Sequence, residues 1–170
     1  MSAKFKKIGD FEKAVKILHS MPDRIEEVAK NAFGAMGAFY AGEIIKGLDS
    51  QAPAGQAFEP LSARTIEARA ERRGIGSTKA LIDTGSLRGS ITHKLMRRPI
   101  GVFVGGLATA MHPITKEPTA NLIQIHEEGI GRHLPARPFI GPIMRSRSIY
   151  RRAVRVFANQ IRFQQNRLMR

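Results

Sequence analysis

The chain has 170 residues, no cysteine, no tryptophan and a formal net charge of +14. That length suits one domain with protruding ends, and the lack of thiols excludes disulfides and thiolate metal sites, as befits a reducing cytoplasm. Hydrophobic residues at 42% allow a core, aromatics at 6% keep it modest, and no secretory or bilayer-spanning segment is expected: no apolar run follows the basic Met1–Lys7, and Ala32–Gly42 is short and glycine-rich.

Met1–Gly9 reads as a flexible basic arm carrying Lys4, Lys6 and Lys7. Asp10 then caps a short helix to His19 whose apolar face is Phe11, Ala14, Val15 and Leu18, and Met21-Pro22 is expected to break it. Pro22 starts a longer helix to about Asp49, with Asp23, Glu26 and Glu27 suited to its positive end. Ile25, Val28, Ala29, Ala32, Phe33, Met36, Phe39, Tyr40, Ile44 and Leu48 recur at helical spacing along one face. Gly34, Gly37, Ala38, Ala41 and Gly42 weaken that helix locally but admit a close neighbour, so it is expected to pack against a sheet.

Ala52–Pro60 reads as a loop and Ser62 as the cap of a helix to about Arg73. Gly74–Thr78 reads as a linker. Thr84–Leu87 predicts a helical turn, with Asp83 accepting backbone N–H bonds and Gly85 relieving crowding, while Arg88 either pairs with an acid or is solvated. Ser90–Met96 and Ile100–Gly105 predict an antiparallel hairpin turning at Arg97-Arg98-Pro99. A loop over Leu107–Thr119 leads to a helix over Ala120–Glu128, closed by Gly129 as a C-cap.

Next comes Pro135-Ala136-Arg137-Pro138-Phe139. Each proline fixes its own φ and holds the preceding residue extended, so Arg137 and Phe139 are expected on a rigid loop, presented to a protein partner. From about Phe139 to Arg170 the chain predicts one long helix, with Ile143, Ile149, Ala153, Val156, Phe157, Ile161 and Leu168 as a partial apolar stripe. No acid stands between Arg145 and the C-terminus, while Arg145, Arg147, Arg151, Arg152, Arg155, Arg162, Arg167 and Arg170 do. Intrahelical pairing therefore cannot neutralise them, and an anionic partner, nucleic acid or an acidic protein surface, is implied. Tyr150, Phe157 and Phe163 are too few for a base-stacking platform.

Three short patterns invite chemistry and fall short of it. His126-Glu127 lacks the second histidine four residues on that a zinc protease helix needs, since position 130 is Ile and His133 lies beyond two glycines. Gly74–Lys79 has the order Ser-Thr-Lys where a phosphate loop needs Gly-Lys-Ser/Thr. Asp83-Thr84-Gly85 could work as an aspartic protease triplet only in a dimer, and the following residues suit a capped turn instead. No nucleophile–base–orienter set is visible, so no catalytic residue, metal or cofactor is expected.

Phe58-Glu59-Pro60-Leu61-Ser62-Ala63-Arg64-Thr65, then Leu81–Ile91 (L-I-D-T-G-S-L-R-G-S-I), then His126–Pro142 with its A-R-P-F-I-G core, resemble in order and spacing the virion morphogenesis, or tail completion, proteins of long-tailed bacteriophages. The resemblance covers roughly Phe58 to Met144. The chain departs from the family pattern at Phe58, where Trp is common, and at Leu122–Ile125, where Tyr-Ala is common. The resemblance implies a small α+β protein, not an enzyme, acting at the head–tail junction of a virion assembled in the host cytoplasm. Its partners would be further copies in a ring (a hexamer by analogy with tail tube symmetry), connector and tail terminator or tail tube proteins, and packaged DNA, with no membrane.

The expected fold is α+β: a small antiparallel sheet packed against a long N-terminal helix, with a long basic C-terminal helix. The core spans 10–144 and the arginine-rich helix 145–170. Arg137, Pro138, Phe139, Arg145, Arg147, Arg151, Arg152 and Arg155 are the expected partner-binding residues. Asp83, Thr84, Gly85, Leu87, Arg88 and Gly129 are expected to build structure.

Overall fold

A computed structural model describes residues 11–72, 78–130 and 134–168. Helix α1 spans Phe11–Ser50, followed by a 3₁₀ turn over Pro53–Gly55 and α2 over Ala63–Glu71. A short α3 (Ser86–Ser90) leads into β1 (Ile91–Arg97) and β2 (Ile100–Gly106), then α4 (Thr119–Glu128), α5 (Ile140–Arg145) and α6 (Arg147–Leu168). The expected α+β architecture holds: a two-stranded antiparallel sheet and a long basic helix both pack on α1.

α1 runs through Pro22 without the expected break. A mid-helix proline removes one hydrogen bond and crowds the preceding turn. Here that cost falls in the half of α1 that stands clear of the core, where Met21 and Ile25 are exposed. At the other end Ile44 and Leu48 are fully buried. α1 stops at Gln51, which adopts a left-handed φ of 60°. Its side chain donates to Leu48 O and Ala80 O and accepts the Ala80 N–H at 2.5 Å, so the residue that ends the helix also pins the start of the Leu81–Ile91 segment.

Gly37 fixes where the hairpin meets α1. A Cβ there would collide with Val102 and come within 3.0 Å of the His93 ring. β1 and β2 pair in continuous register from Ile91↔Gly106 to Arg97↔Ile100, so His93, Val102 and Val104 share the face on α1. Gly34 and Gly42, by contrast, face open space. We therefore expect opposite signs from two helix substitutions. Gly34→Ala should stabilise by about 0.5–1 kcal/mol through helix propensity alone. Gly37→Leu should destabilise by about 1–3 kcal/mol despite the same propensity gain, because it overpacks the helix–hairpin contact. Urea midpoints of the two variants check both.

α6 runs antiparallel to α1: Ile149 and Ala153 are buried near Ile44 and Leu48, and further along Phe157 meets Phe33 edge-to-face at 5.0 Å. The single C-terminal helix expected from Phe139 onward is in fact two. Ser146 takes an extended ψ of 115° between α5 and α6, which lets Ile143 and Ile149 both enter the core. Gly129 closes α4 with φ 76°, and its N–H donates to Ile125 O, as the sequence suggests. The loop before α4 is tied down by buried Thr119, whose N–H and hydroxyl both donate to Ala110 O. The expected basic arm and most of the Gly74–Thr78 linker lie outside the described residues.

Candidate functional site

Two regions carry the polar residues singled out by the sequence: the junction of α2, α3 and α4 with the Pro135–Phe139 segment, and the outer face of α6. At the junction, the carbonyl of His126 accepts the Arg137 N–H at 2.7 Å, laying the Pro135–Phe139 segment along α4. Glu127 then accepts the N–H groups of Phe139 (2.7 Å), Ile140 (2.7 Å) and Gly141 (3.1 Å). One carboxylate thus caps α5 from twelve residues upstream, satisfying donors that a helix start leaves unpaired.

The expectation of a presenting loop is corrected here. Phe139 is 0% exposed and Arg137 8%. Arg137 donates from Nε to Glu59 O (3.1 Å) and from Nη2 to Pro60 O (3.3 Å), tying the Phe58–Leu61 loop to the Pro135–Phe139 segment. The prolines do make the backbone rigid, but they direct the side chains inward: Phe139 enters the cluster of Ile44, Leu48 and Ile143. Pro138 is half-buried beside them. Arg137, Pro138 and Phe139 are therefore fold-building residues.

Asp83 also differs from expectation. It faces the arginines of α2, with Arg72 Nη2 at 3.1 Å and Arg69 Nε at 3.8 Å, instead of capping the turn. The turn relies on Gly85, in the left-handed region at φ 78°, and on Thr84, whose hydroxyl accepts the Ser86 N–H at 3.4 Å. Leu87 is buried. Arg88 makes a two-pronged pair with Asp49 at 2.7 and 2.8 Å, and that pairing holds the Asp49 carboxyl below its usual range.

A cleft of about 150 Å³ opens beside this turn, lined by Arg69, Asp83, Thr84, Ser86, His112 and His126 among others. It brings together two histidines, His112 and His126, with the hydroxyls of Thr84, Ser86 and Thr115. The Thr115 N–H points at His112 Nδ1 (3.2 Å), which places the ring proton on Nε2. That proton faces Thr84 Oγ1 at 3.4 Å, and Thr84 in turn meets Ser86 Oγ at 2.9 Å. In that arrangement His112 donates to Thr84.

His126 sits at the inner wall, and its Nδ1 is buried without a partner among the described residues. Burial first, then the charges of Arg137 and Arg69, push its imidazole below the usual histidine value. The folded chain thus binds fewer protons than the unfolded one in that window. We expect stability to be complete above the unfolded value of about 6.5 and to fall as pH drops from there toward the lower folded value. His126→Gln, which cannot titrate, should remove that slope; urea midpoints between pH 7.5 and about 5 check it. Losses tied to Asp49 come at lower pH, below the ordinary aspartate value. No group of three metal-ligating side chains occurs among the described residues, and His133 lies outside them.

The outer face of α6 is different in kind. Arg147, Arg151, Arg155 and Arg162 are exposed, as is Arg145 at the end of α5. Among the described residues none of these has a carboxylate within ion-pair distance. Exposed Tyr150 and Val154 lie between them, giving a basic face with an apolar seam. Arg152, grouped with them from sequence, is also exposed but is engaged by α1: it forks onto Glu43 at 3.0 and 3.1 Å and lies 5.1 Å over the Phe39 ring. Helical spacing explains the split. Arg147, Arg151 and Arg155 recur every four residues, whereas Arg152 falls one position round, next to the α1 seam.

Sequence reasoning missed Glu43, Asp49, Glu127 and His112. The first three are acids set against a large basic excess, and that scarcity was the available signal that each has a fixed partner. No protein-family model, curated protein or solved structure matches this chain.

Proposed function

We propose that this chain is a structural virion protein of the phage head–tail junction, a tail completion or neck protein that assembles as a ring and joins tail to head through protein–protein contacts. The resemblance of Phe58–Thr65, Leu81–Ile91 and His126–Pro142 to that family supports the reading. The observation that carries it is how the chain divides its polar residues. Those of the family-like segments are engaged within the fold, as with Arg137 on Glu59 and Pro60 and Glu127 on the start of α5. The arginine face of α6 is turned outward, and among the described residues no acid balances it. That pattern suits a protein working by contact, with connector and tail terminator or tail tube proteins as the anionic neighbours. Electron microscopy of particles assembled without the chain tests it. Filled heads and finished tails lying unjoined are the expected result; normal joined particles would sink the reading.

A second reading has one observation in its favour. Arg147, Arg151, Arg155 and Arg162, exposed and unbalanced, could lie along a phosphate backbone. It requires log K for duplex DNA to fall against log salt with a slope of about −3 to −4, roughly 0.9 per phosphate neutralised, with no preference for sequence. DNA binding that is absent at low salt rejects it.

A further inference from the structure

We infer that the β1–β2 hairpin is an unfinished sheet completed by a second copy of this chain: the β2 edge of one copy pairs with the β1 edge of the next, antiparallel, and repetition builds the ring. This rests on the assembly reading above and supplies its interface.

Among the described residues the sheet has two strands, each with one edge that no other strand covers. Among the described residues, no hydrogen bond beyond those of the hairpin ladder reaches the backbone of residues 92–106; at its start the Ile91 N–H donates to Arg88 O. Helix α4 abuts β2 at its end, where Ile123 meets Gly106, while Ile100 and Phe103 further along the strand are exposed. The face away from α1 is open too: Lys94 is exposed, as are Met96 and Phe103, and the Phe103 ring lies over Gly105.

Exposed strand edges are ordinarily shielded by charge, proline or a bulge, because a bare row of N–H and C=O groups recruits another strand. β2 reads Ile-Gly-Val-Phe-Val-Gly-Gly, with no charge and no proline, and its register with β1 has no bulge. β1 carries Lys94 and Arg97. Two β1 edges meeting would set those cations against each other, at a cost in free energy. β1 against the uncharged β2 avoids this. Two β2 edges meeting would close a dimer and leave both β1 edges bare. The order β1-β2-β1-β2 keeps every neighbour antiparallel, covers both edges of every copy, and is heterologous, the kind of contact that closes into rings. Strand addition of this type draws its affinity from main-chain hydrogen bonds.

The chain has no cysteine, so a single one can be placed at will. Lys94→Cys and Phe103→Cys alter exposed positions on the open face and should leave the melting temperature within a few degrees of the parent. The two purified proteins are treated with a short bismaleimide, alone and mixed. We expect cross-linked dimer in the mixture at several times the yield of either protein alone. Dimer from Phe103→Cys alone would mean β2–β2 pairing, dimer from Lys94→Cys alone β1–β1 pairing, and no dimer in any sample no strand addition; each overturns the inference. The experiment uses no phage component. Its failure beside unjoined particles in the microscope would remove the sheet and leave the junction reading standing.

Discussion

Phe139→Ala should lower stability by about 3–5 kcal/mol, the range for removing a fully buried aromatic ring. The side chain is 0% exposed and packs with Ile44 and Leu48 of α1 and Ile143 of α5. Domains of this size hold about 5–15 kcal/mol in all, so the loss is roughly a fifth of the total or more. The ring sits where three segments converge, and the surrounding backbone is fixed by prolines and by Glu127, so little collapse into the space can soften the effect. A urea midpoint shift at unchanged m-value measures it. A loss under about 1 kcal/mol would place the ring at the surface, as the presented-loop reading of the sequence requires.

Glu127→Ala should cost about 3 kcal/mol or more. Three N–H groups at the start of α5 have its carboxylate as acceptor, and hydrogen bonds to charged groups each contribute about 1.5–3 kcal/mol before overlap between them is counted. Alanine leaves those donors in a half-buried setting with nothing to accept them. Glu127→Gln keeps an acceptor oxygen and loses the charge, so it should cost about half as much. The graded pair distinguishes capping from mere packing: a loss for Ala with none for Gln would mean that the side chain's bulk, which Gln keeps, and not its charge supports the α4–α5 junction.

The parts of the fold legible in the sequence are those set by local periodicity. The apolar face of α1, the hairpin around Arg98-Pro99, the Gly129 cap and the stripe of α6 each follow from residues within a few positions of one another. The misreadings of Asp83 and Arg137 share one cause: their sequence neighbours suggest a setting that groups distant in the chain override. Arg137 finds its acceptors 77 and 78 residues upstream. Proline chemistry correctly makes the Pro135–Phe139 backbone rigid, but it does not say which way the side chains face. The outward arginines of α6 were legible because their signal is compositional: no acid follows Arg145. Separating Arg152 from them needed Glu43, more than a hundred residues away.

The most direct measurement is joining activity of a protein carrying Arg147→Gln, Arg151→Gln, Arg155→Gln and Arg162→Gln together. These side chains are exposed and unpaired among the described residues, so its melting temperature should match the parent within a few degrees. Added to heads and tails made without the chain, it should yield few joined particles in the electron microscope where the parent protein restores them. A folded variant that joins them as well as the parent would contradict the assignment of the α6 face as the working surface.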